Sequence, residues 1–426
     1  MDATKRLTGK TYRHFMHDSL RRSSSFLLIS AAVGAIFSFG FWLICAHLTS
    51  SRQIGYAVTL TAYVSLISTI ATLGLTNAVI RFLPNHKDKD TYFSTVLAIT
   101  LISSAAIGAL LITSIRYLSP KLGFAIANPE IFGLLLFIAV ISSVGSIADA
   151  SLLAQKDTKN ILIKALWSHP LRILLPFVFI DLKLVSILVI YAITLFIGTA
   201  FEFYILYKHH HKRRSIDLSS LFNTYQFTAG NFAGTIFGVL PATLVPAIVL
   251  NRLGPSLAAY FYIAMQFSSF LSLICSSSAQ AFLSEASNDK DAGAYMHHLV
   301  KAFKNLYSLL IPAALLMALI GTQILRFYGY DYYSHGAILL ILLCISSLFI
   351  GINWLGDSLL NVQKRPFAYG AMNAINAIFV VVMVYAFANR GLTAIGFVWL
   401  FTQIVVVIIY LILQRKFIRT YKPITS

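Results

Sequence analysis

The sequence predicts an all-α polytopic membrane protein with about twelve transmembrane helices. Of its 426 residues, 58% are hydrophobic and 11% are charged, whereas soluble domains carry about 25% charged residues. Apolar stretches of about 20 residues, the length that crosses a bilayer as a helix, recur along the whole chain. Strands of a membrane barrel would instead alternate over about 10 residues. We expect spans near residues 24–48, 56–80, 93–115, 131–154, 161–180, 184–207, 225–250, 257–282, 306–325, 337–361, 367–387 and 393–413.

The first predicted span follows a basic N-terminal segment, a combination that resembles a signal peptide. The apolar run after residue 22 is about 25 residues long, which exceeds the apolar core of a cleavable signal. We therefore expect an uncleaved first helix.

The lysines and arginines are distributed as a topology signal. The formal net charge is +18, and 25 of the 33 lysines and arginines fall in the termini and connections on one side of the predicted membrane, counting the short flanks of the spans. Seven fall on the other side, and Arg172 lies inside a span. Because basic loops stay in the cytosol, we expect both termini to be cytoplasmic. The basic balance therefore indicates membrane topology, and we expect no nucleic-acid partner.

Motifs of soluble enzymes and of metal sites are missing from the sequence. TGKT at 8–11 resembles the end of a phosphate-binding loop, but Thr4 stands where that loop needs glycine. The cysteines Cys45, Cys275 and Cys344 all fall in predicted spans, where we expect small core residues. We expect no catalytic residue, metal or cofactor, so transport work would draw on ion gradients or on substrate concentration.

Two segments repeat late in predicted spans 4 and 10. ADASLLAQK at 148–156 and GDSLLNVQK at 356–364 align at an offset of 208 residues, which pairs Asp149 with Asp357. A second set of matches has an offset of 204 and pairs Gly34 with Gly238. Because the repeated unit holds an even number of spans, both copies enter the membrane in the same direction. We expect two parallel six-helix lobes around a central cavity, 1–214 and 215–426, joined by the basic cytosolic linker KHHHKRRS at 208–215.

One long stretch carries a family resemblance. FWLICAHLTSSRQIGYAVTLTAYVSLISTIATLGLTNAVIRFLP at 41–84 resembles the opening helical pair of the polysaccharide-repeat-unit flippases. These are the O-antigen or Wzx-type branch of the multidrug/oligosaccharidyl-lipid/polysaccharide exporter superfamily. The residues that carry the likeness are the turn around 51–55, the step at 73–75 and Arg81-Phe82.

The resemblance implies a substrate, a location and partners. The substrate would be a glycan repeat unit on a polyprenyl pyrophosphate, moved across the bacterial inner membrane by alternating access. The product would enter O-antigen, lipopolysaccharide or capsule-like synthesis, so a polysaccharide polymerase and a ligase are expected partners besides the bilayer. Transport could be coupled to an ion gradient, of either H⁺ or Na⁺.

Two other functions compete with this interpretation. A cation-coupled multidrug antiporter of the same superfamily usually needs a carboxylate early in its N-terminal lobe, and predicted spans 1 to 3 contain none. A membrane glycosyltransferase or ligase would need a sizeable outer loop with catalytic carboxylates or arginines. The longest outer connections, near 116–130 and 326–336, are short and carry one acid each, Glu130 and Asp331.

Ionisable residues inside spans are the most informative, because each costs about 2.5–3.5 kcal/mol at a helix centre on insertion scales. In KALWSHPLRILLP at 164–176, Lys164, Ser168 and Arg172 share one helix face, and Pro170 is expected to bend the helix. One interpretation is a cavity wall whose Arg172 and Lys164 receive a phosphate anion, with His169 as a secondary candidate. The other is that Arg172 pairs with Glu202 or Asp149 and only neutralises buried charge.

The paired aspartates also allow two interpretations. Asp149 is expected to meet Lys164 across the hairpin of spans 4 and 5, whereas the span after Asp357 carries no cation. Both acids could anchor their helix ends, where a carboxylate needs a compensating partner. Alternatively Asp149, Asp357 and Glu202 could serve in gating or in coupling to a cation.

The remaining candidates have packing or topology as their alternative role. Arg81 lies at the expected inner mouth, where it would contact substrate or only anchor topology. Gly234 and Gly238 have the spacing of close helix contacts, and with Pro241 and Pro246 they would let span 7 bend. Polar residues within spans could contact sugars or only neighbouring helices, namely Asn77, Asn231, Asn373 and Asn376.

Overall fold

A computed structural model describes residues 2–179, 181–209, 216–218, 225–286, 292–363 and 365–415. These residues form helices and no strand, so the predicted all-α polytopic fold is confirmed. Eleven described segments are long and apolar enough to cross a membrane. A twelfth helix, at the position of predicted span 5, has 17 residues.

The α-helices follow one another with short connections. They are α1 (Asp2–Leu48), α2 (Ser51–Ala71), α3 (Leu75–Phe82), α4 (Lys89–Leu118), α5 (Phe124–Ala127), α6 (Pro129–Ala154), α7 (Thr158–Leu174), α8 (Leu184–His209), α9 (Tyr225–Leu253), α10 (Pro255–Ala286), α11 (Ala292–Leu316), α12 (Thr322–Tyr328), α13 (Tyr330–Val362), α14 (Pro366–Phe387) and α15 (Leu392–Leu413).

Predicted span 2 is broken into α2 and α3. Leu73 and Gly74 adopt left-handed backbone angles, with φ of 51° and 73°. This conformation ends α2 and restarts a helix at Leu75, and it is unfavourable for a leucine. Turn hydrogen bonds replace the helical ladder there, from the Leu73 amide to the Ile70 carbonyl and from the Leu75 amide to the Thr72 carbonyl.

Predicted span 9 contains a second irregularity. The helical path from α11 to α12 passes through a π-helical turn at Met317–Gly321. Such single turns carry one extra residue and often mark functional or strained positions in helices. Gly329, with φ of 131°, then ends α12 and allows the sharp reversal into α13.

The helices form two compact units. Unit 1 contains Met1–Ile44, Ile70–Leu110 and Gly133–Thr228, and unit 2 contains Cys45–Thr69, Leu111–Phe132 and Ala229–Ser426. The units do not coincide with the expected lobes 1–214 and 215–426, because two segments of the first half cluster with the second. Of the predicted linker, residues 210–215 lie outside the described residues.

Unit 1 has its apolar core among α3, α4, α6, α7 and α8. Fully buried residues of this core include Val79 on α3, Tyr92 on α4, Ile147 on α6 and Leu206 on α8. The core packs these helices around the short hairpin between α6 and α7, which positions the polar residues described below.

Unit 2 is organised around α13, which packs against α10, α11, α12, α14 and α15. The two segments from the first half join this unit through specific contacts. Gly55 is indispensable there, because a β-carbon at that position would lie 1.7 Å from the Pro255 carbonyl oxygen. The Ser119 hydroxyl donates to the Asn251 Oδ1 at 2.8 Å, and the Asn251 amide donates to the Leu118 carbonyl at 2.9 Å.

Candidate functional site

Three helices of unit 1 bring two acids and one base together. The Lys164 ammonium on α7 lies 2.6 Å from Asp149 Oδ1 on α6 and 2.7 Å from Glu202 Oε1 on α8. The side chain of Glu202 is fully enclosed, Lys164 is 18% exposed, and Asp149 is 42% exposed. We call these three residues the acid–lysine triad.

Local structure of the hairpin positions the triad. α6 ends at Ala154, and Lys156 has a left-handed φ of 61° that reverses the chain. The carboxylate of Asp157 then caps α7 by accepting from the Asn160 amide, a standard helix-start contact. Because this connection is so short, Lys164 near the start of α7 returns to the level of Asp149 near the end of α6.

The triad is one positive charge short when all its groups are ionised. Two carboxylates share a single ammonium ion, which leaves a formal charge of −1. Glu202 Oε2 is buried and has no hydrogen-bond partner among the described residues. An enclosed charge without full compensation is strongly unfavourable in a low-dielectric interior. One further positive charge would therefore make the site electrically neutral.

Arg172 lies two turns beyond Lys164 on the same face of α7. Its Nε donates to the Thr194 hydroxyl at 3.2 Å, and its guanidinium carbon lies 4.7 Å from the ring centre of Tyr191. No carboxylate of the described chain lies within 4.0 Å of it, and no further hydrogen bond of its guanidinium is present there. The α7 helix continues through Pro170 to Leu174, so the predicted stripe of Lys164, Ser168 and Arg172 is kept.

The structure settles how the charges of unit 1 pair. Asp149 meets Lys164, as the hairpin predicted. Glu202 pairs with Lys164 and not with Arg172, so the alternative in which Arg172 neutralises Glu202 or Asp149 is wrong. Lys164 was also a candidate for binding an anion, and this role stays a prediction, with its ammonium held by two acids. Arg172 remains as the cation of this stripe without an acidic partner in the described residues.

The other two cationic candidates are His169 and Arg81. His169 packs on α1, since a β-carbon on Gly34 would lie 3.1 Å from its Nε2. Arg81 is exposed in the last turn of α3, with its guanidinium carbon 5.4 Å from the Phe82 ring centre.

Unit 2 contains a related cluster around Asp357 on α13. Its carboxylate accepts from the Tyr410 hydroxyl on α15 and from the Asn373 amide on α14, the latter at 3.2 Å. No cation of the described chain forms a salt bridge with it. We call Asp357, Asn373 and Tyr410 the aspartate–tyrosine cluster. The sequence analysis did not identify the two neutral donors.

A chain of amides lies one to two turns away on the same three helices. The Asn353 amide donates to Gln403 Oε1 at 2.8 Å, and the Gln403 amide donates to Asn376 Oδ1 at 3.1 Å. Asn373 and Asn376 were expected to contact either sugars or neighbouring helices. Their amides bond to neighbouring helices within unit 2, and sugar contact stays a prediction.

The remaining candidates have little polar contact. Asn77 lies in the first turn of α3, partly exposed. The side chain of Asn231 lies outside the described residues. Gly234 packs closely on α14, where a β-carbon would lie 3.0 Å from Tyr369 Cε1, while Gly238 has open space around it. The α9 helix continues through Pro241 and Pro246 without ending.

Metal binding finds no support in the part of the chain that the structure describes. No group of three or more His, Cys, Asp or Glu side chains is placed to hold a metal ion there. The cysteines Cys45, Cys275 and Cys344 are buried and free, as their positions within spans predicted.

Comparison of the sequence with protein families gives one match. Residues 44–335 match the model of a family described as polysaccharide biosynthesis protein. This match covers more than half of the chain. No curated protein sequence matches it.

Solved transporter structures share the fold. An inward-facing multidrug resistance MATE family transporter of the MOP superfamily aligns with a TM-score of 0.72 at 12% identity, covering 94% of this chain and 99% of the other. A MOP superfamily transporter from Pyrococcus furiosus, described as having a binding pocket of reverse polarity, gives 0.69 at 13% identity, covering 94% and 95%. An outward-facing MATE transporter gives 0.67 at 14% identity, covering 94% and 96%. At these identities the likeness establishes the fold alone.

Proposed function

The chain belongs to the polysaccharide biosynthesis protein family and has the fold of MOP-superfamily transporters, and from this premise we propose that it is a flippase for a lipid-linked oligosaccharide. The cargo is a glycan repeat unit on a polyprenyl pyrophosphate. Alternating access moves it across the bacterial inner membrane for surface polysaccharide synthesis, of O-antigen, lipopolysaccharide or capsule type.

The observation that carries the proposal is the unpaired guanidinium of Arg172. An intramembrane cation without an acid is costly and by default marks a substrate pathway. Thr194 occupies its Nε and Tyr191 covers one face. The terminal N–H groups, which make no hydrogen bond to the described chain, remain for a ligand.

Arginine suits the anionic part of such a cargo. The polar headgroup must cross a hydrocarbon layer about 30 Å thick. A guanidinium donates two parallel hydrogen bonds to a phosphate, which fixes its orientation as well as its charge. The polyprenyl tail would stay in lipid while Arg172 holds the diphosphate.

The other candidates have supporting roles in this proposal. Lys164 is held by the two acids of the triad. It acts on the substrate through its electrostatic effect on Arg172, eight residues further along α7. His169 and Arg81 remain secondary candidates for the cationic path, and Asn77 for sugar contact. Coupling to H⁺ or Na⁺ is assigned to the acids of the two polar sites, Asp149, Glu202 and Asp357.

The proposal includes a topology and partners. Both termini face the cytosol, as the loop charges predict. A polysaccharide polymerase and a ligase use the exported repeat unit. Neither a catalytic residue nor a cofactor is assigned to the chain.

A multidrug antiporter is the competing function, since solved neighbours include multidrug resistance MATE transporters. The family match favours polysaccharide synthesis. The cation without an acidic partner, Arg172, favours an anionic cargo over a cationic drug.

Complementation of a flippase-deleted bacterial strain tests the proposal. We expect lipid-linked repeat units to accumulate on the cytosolic face and to be cleared when the full chain is supplied. Mass spectrometry of the accumulated lipid identifies the glycan. Arg172→Ala should fail to clear it, whereas Arg116→Ala, at an exposed arginine in the last turn of α4, should succeed. Repeat units that persist with the wild-type chain in strains of every glycan type tried would contradict the function.

A further inference from the structure

The acid–lysine triad carries an inference about the ion that accompanies transport. Its formal charge is −1 when ionised, and Glu202 Oε2 is an enclosed acceptor without a donor in the described chain. We propose that the triad binds one proton, shared between the carboxyl groups of Glu202 and Asp149, and that an anion at Arg172 strengthens this binding.

The proton balance at the triad is simple. A proton from water adds to one carboxylate oxygen, and the resulting O–H group needs a single acceptor. After protonation one carboxylate and the Lys164 ammonium remain, and the site is neutral. A metal cation would need several oxygen ligands, whereas both inner oxygens, Asp149 Oδ1 and Glu202 Oε1, already accept from Lys164. The geometry therefore favours a proton over Na⁺.

Unequal exposure of the two acids gives the proton a route. The side chain of Asp149 is 42% exposed, whereas that of Glu202 is fully enclosed. Asp149 is therefore the entry group and Glu202 the enclosed end of the site. Lys164 holds one oxygen of each acid, which keeps the two carboxyl groups at the same ammonium.

Arg172 provides the link between proton and anion. It lies eight residues from Lys164, about 12 Å along the helix. At that distance, and at an effective dielectric constant of about 20, one unit charge changes the affinity for another roughly tenfold. Fully ionised, the triad and Arg172 together are neutral. An anion on Arg172 removes that balance, so it should favour proton uptake by the triad.

The sign of this linkage has a consequence for transport. Since binding linkage is reciprocal, the proton must strengthen anion binding by the same factor. Proton and anionic headgroup then favour each other on the same protein state. This second half of the inference depends on the proposed function, whereas proton binding by the triad does not.

Other ionisable groups around the triad are few. His169 lies one turn beyond Lys164, and Tyr191 covers Arg172. The helices packed around the hairpin carry further ionisable side chains, most of them near helix ends or in the buried core. Those that the structure describes are His47 and Cys45 on α1, Arg81 on α3, Lys89, Asp90, Tyr92, Arg116 and Tyr117 on α4, Glu130 on α6, Lys159 on α7, and Tyr204, Tyr207 and Lys208 on α8.

Infrared difference spectroscopy of the full chain in lipid vesicles tests the inference. The carbonyl stretch of a neutral carboxylic acid reports the proton directly. In a pH titration all protonated acids contribute to this absorption, and we expect one component band that is lost in both Glu202→Gln and Asp149→Asn. The matched control is Asp181→Asn, at an exposed acid whose side chain is 66% accessible, and it should keep the band. A wild-type spectrum without the band, or one that both triad variants leave unchanged, overturns proton binding.

Inorganic pyrophosphate as a probe tests the linkage. Its addition should shift the midpoint of the carboxylic band by about one pH unit upward, the tenfold change expected at 12 Å. Arg172→Ala should abolish that shift and keep the band. If the triad band titrates but its midpoint does not change with pyrophosphate, the linkage and the anion site are refuted. Proton binding by the triad is then still supported. Replacing Na⁺ by choline should change nothing, and a sodium-dependent band overturns the choice of a proton.

Discussion

The acid–lysine triad of unit 1 and the aspartate–tyrosine cluster of unit 2 share two matching sequence positions but differ in chemistry. The offset of 208 residues that pairs Asp149 with Asp357 also pairs Glu202 with Tyr410. In each unit an acid on one helix meets a polar group on the next helix and a second on the one after. In unit 1 the acids are compensated by the charged ammonium of Lys164, whereas in unit 2 the acid accepts hydrogen bonds from neutral donors.

From this difference we predict different roles for the two sites. A charged group is retained inside a membrane at a cost of a few kcal/mol, so the ionic version in unit 1 points to function. The cluster in unit 2 holds its acid with neutral donors and serves equally well as an interhelical contact, for which hydrogen bonds contribute about 0.6 kcal/mol on average. The four experiments below distinguish the two sites.

Removing the base of the triad should have the largest effect on stability. Lys164→Met leaves two carboxylates together in the interior, and breaking a buried pair in this way costs about 3–5 kcal/mol. Because Asp149 is partly exposed, we expect the lower end of that range. Thermal unfolding in detergent measures the loss. Asn373→Leu, which removes the corresponding neutral donor in unit 2, should cost less than half as much, and equal losses would contradict the comparison.

Replacing a closely packed glycine in each unit with alanine should give the second-largest difference in stability between the units. A β-carbon on Gly356 would lie 2.7 Å from the ring of Tyr410, whereas one on Gly145 would lie 2.7 Å from the Thr199 hydroxyl. A hydroxyl can rotate away, but the ring is held by Asp357. Gly356→Ala should cost about 1–3 kcal/mol by overpacking, and Gly145→Ala clearly less. The same unfolding measurement on both variants tests this order.

Loss of the phenol hydroxyl should weaken unit 2 by a smaller amount. Tyr410→Phe removes one donor to the carboxylate of Asp357 and leaves Asn373 in place. Hydrogen bonds to charged groups contribute about 1.5 kcal/mol at the lower end of their range. In the double variant with Asp357→Asn the loss should shrink, because the acceptor is then uncharged. A double-mutant cycle in unfolding free energy gives the coupling, and a value near zero would exclude the contact.

The smallest effect is expected from Asp149→Asn. This change leaves Lys164 and Glu202 as a balanced pair, and the altered side chain is partly exposed. We expect an unfolding free energy within about 1 kcal/mol of the wild type, since exposed ion pairs contribute little. A loss as large as that of Lys164→Met would mean that the triad carries no excess negative charge.

The sequence predicted those features that depend on composition and periodicity. Apolar run length gave the spans, and the short connection at 155–157 gave the meeting of Asp149 with Lys164. The breaks at Leu73 and at 317–321 were missed, because both lie inside runs whose hydropathy is uninterrupted. Backbone conformation there is set by packing that the pattern does not encode.

The candidate site was predicted in part for a similar physical reason. Spacing along one helix placed Lys164 and Arg172 on the same face, but it gave no information on partners from other helices. Glu202 lies 38 residues from Lys164 along the chain, and only packing brings them together. The repeat offset was the one sequence signal that could have joined Tyr410 to Asp357, since it aligns Tyr410 with Glu202.

The most direct test of the account is the sidedness of lipid-linked repeat units in vesicles that contain the full chain. A membrane-impermeant glycosidase reports how much glycan has reached its side. We predict transfer by the wild-type chain and by Arg116→Ala, and at least tenfold slower transfer by Arg172→Ala, since hydrogen bonds from a charged donor contribute about 1.5–3 kcal/mol. Arg172→Lys should be intermediate, because an ammonium lacks the planar donor pair. Wild-type transfer rates in Arg172→Ala would contradict the claim that this arginine carries the anionic headgroup.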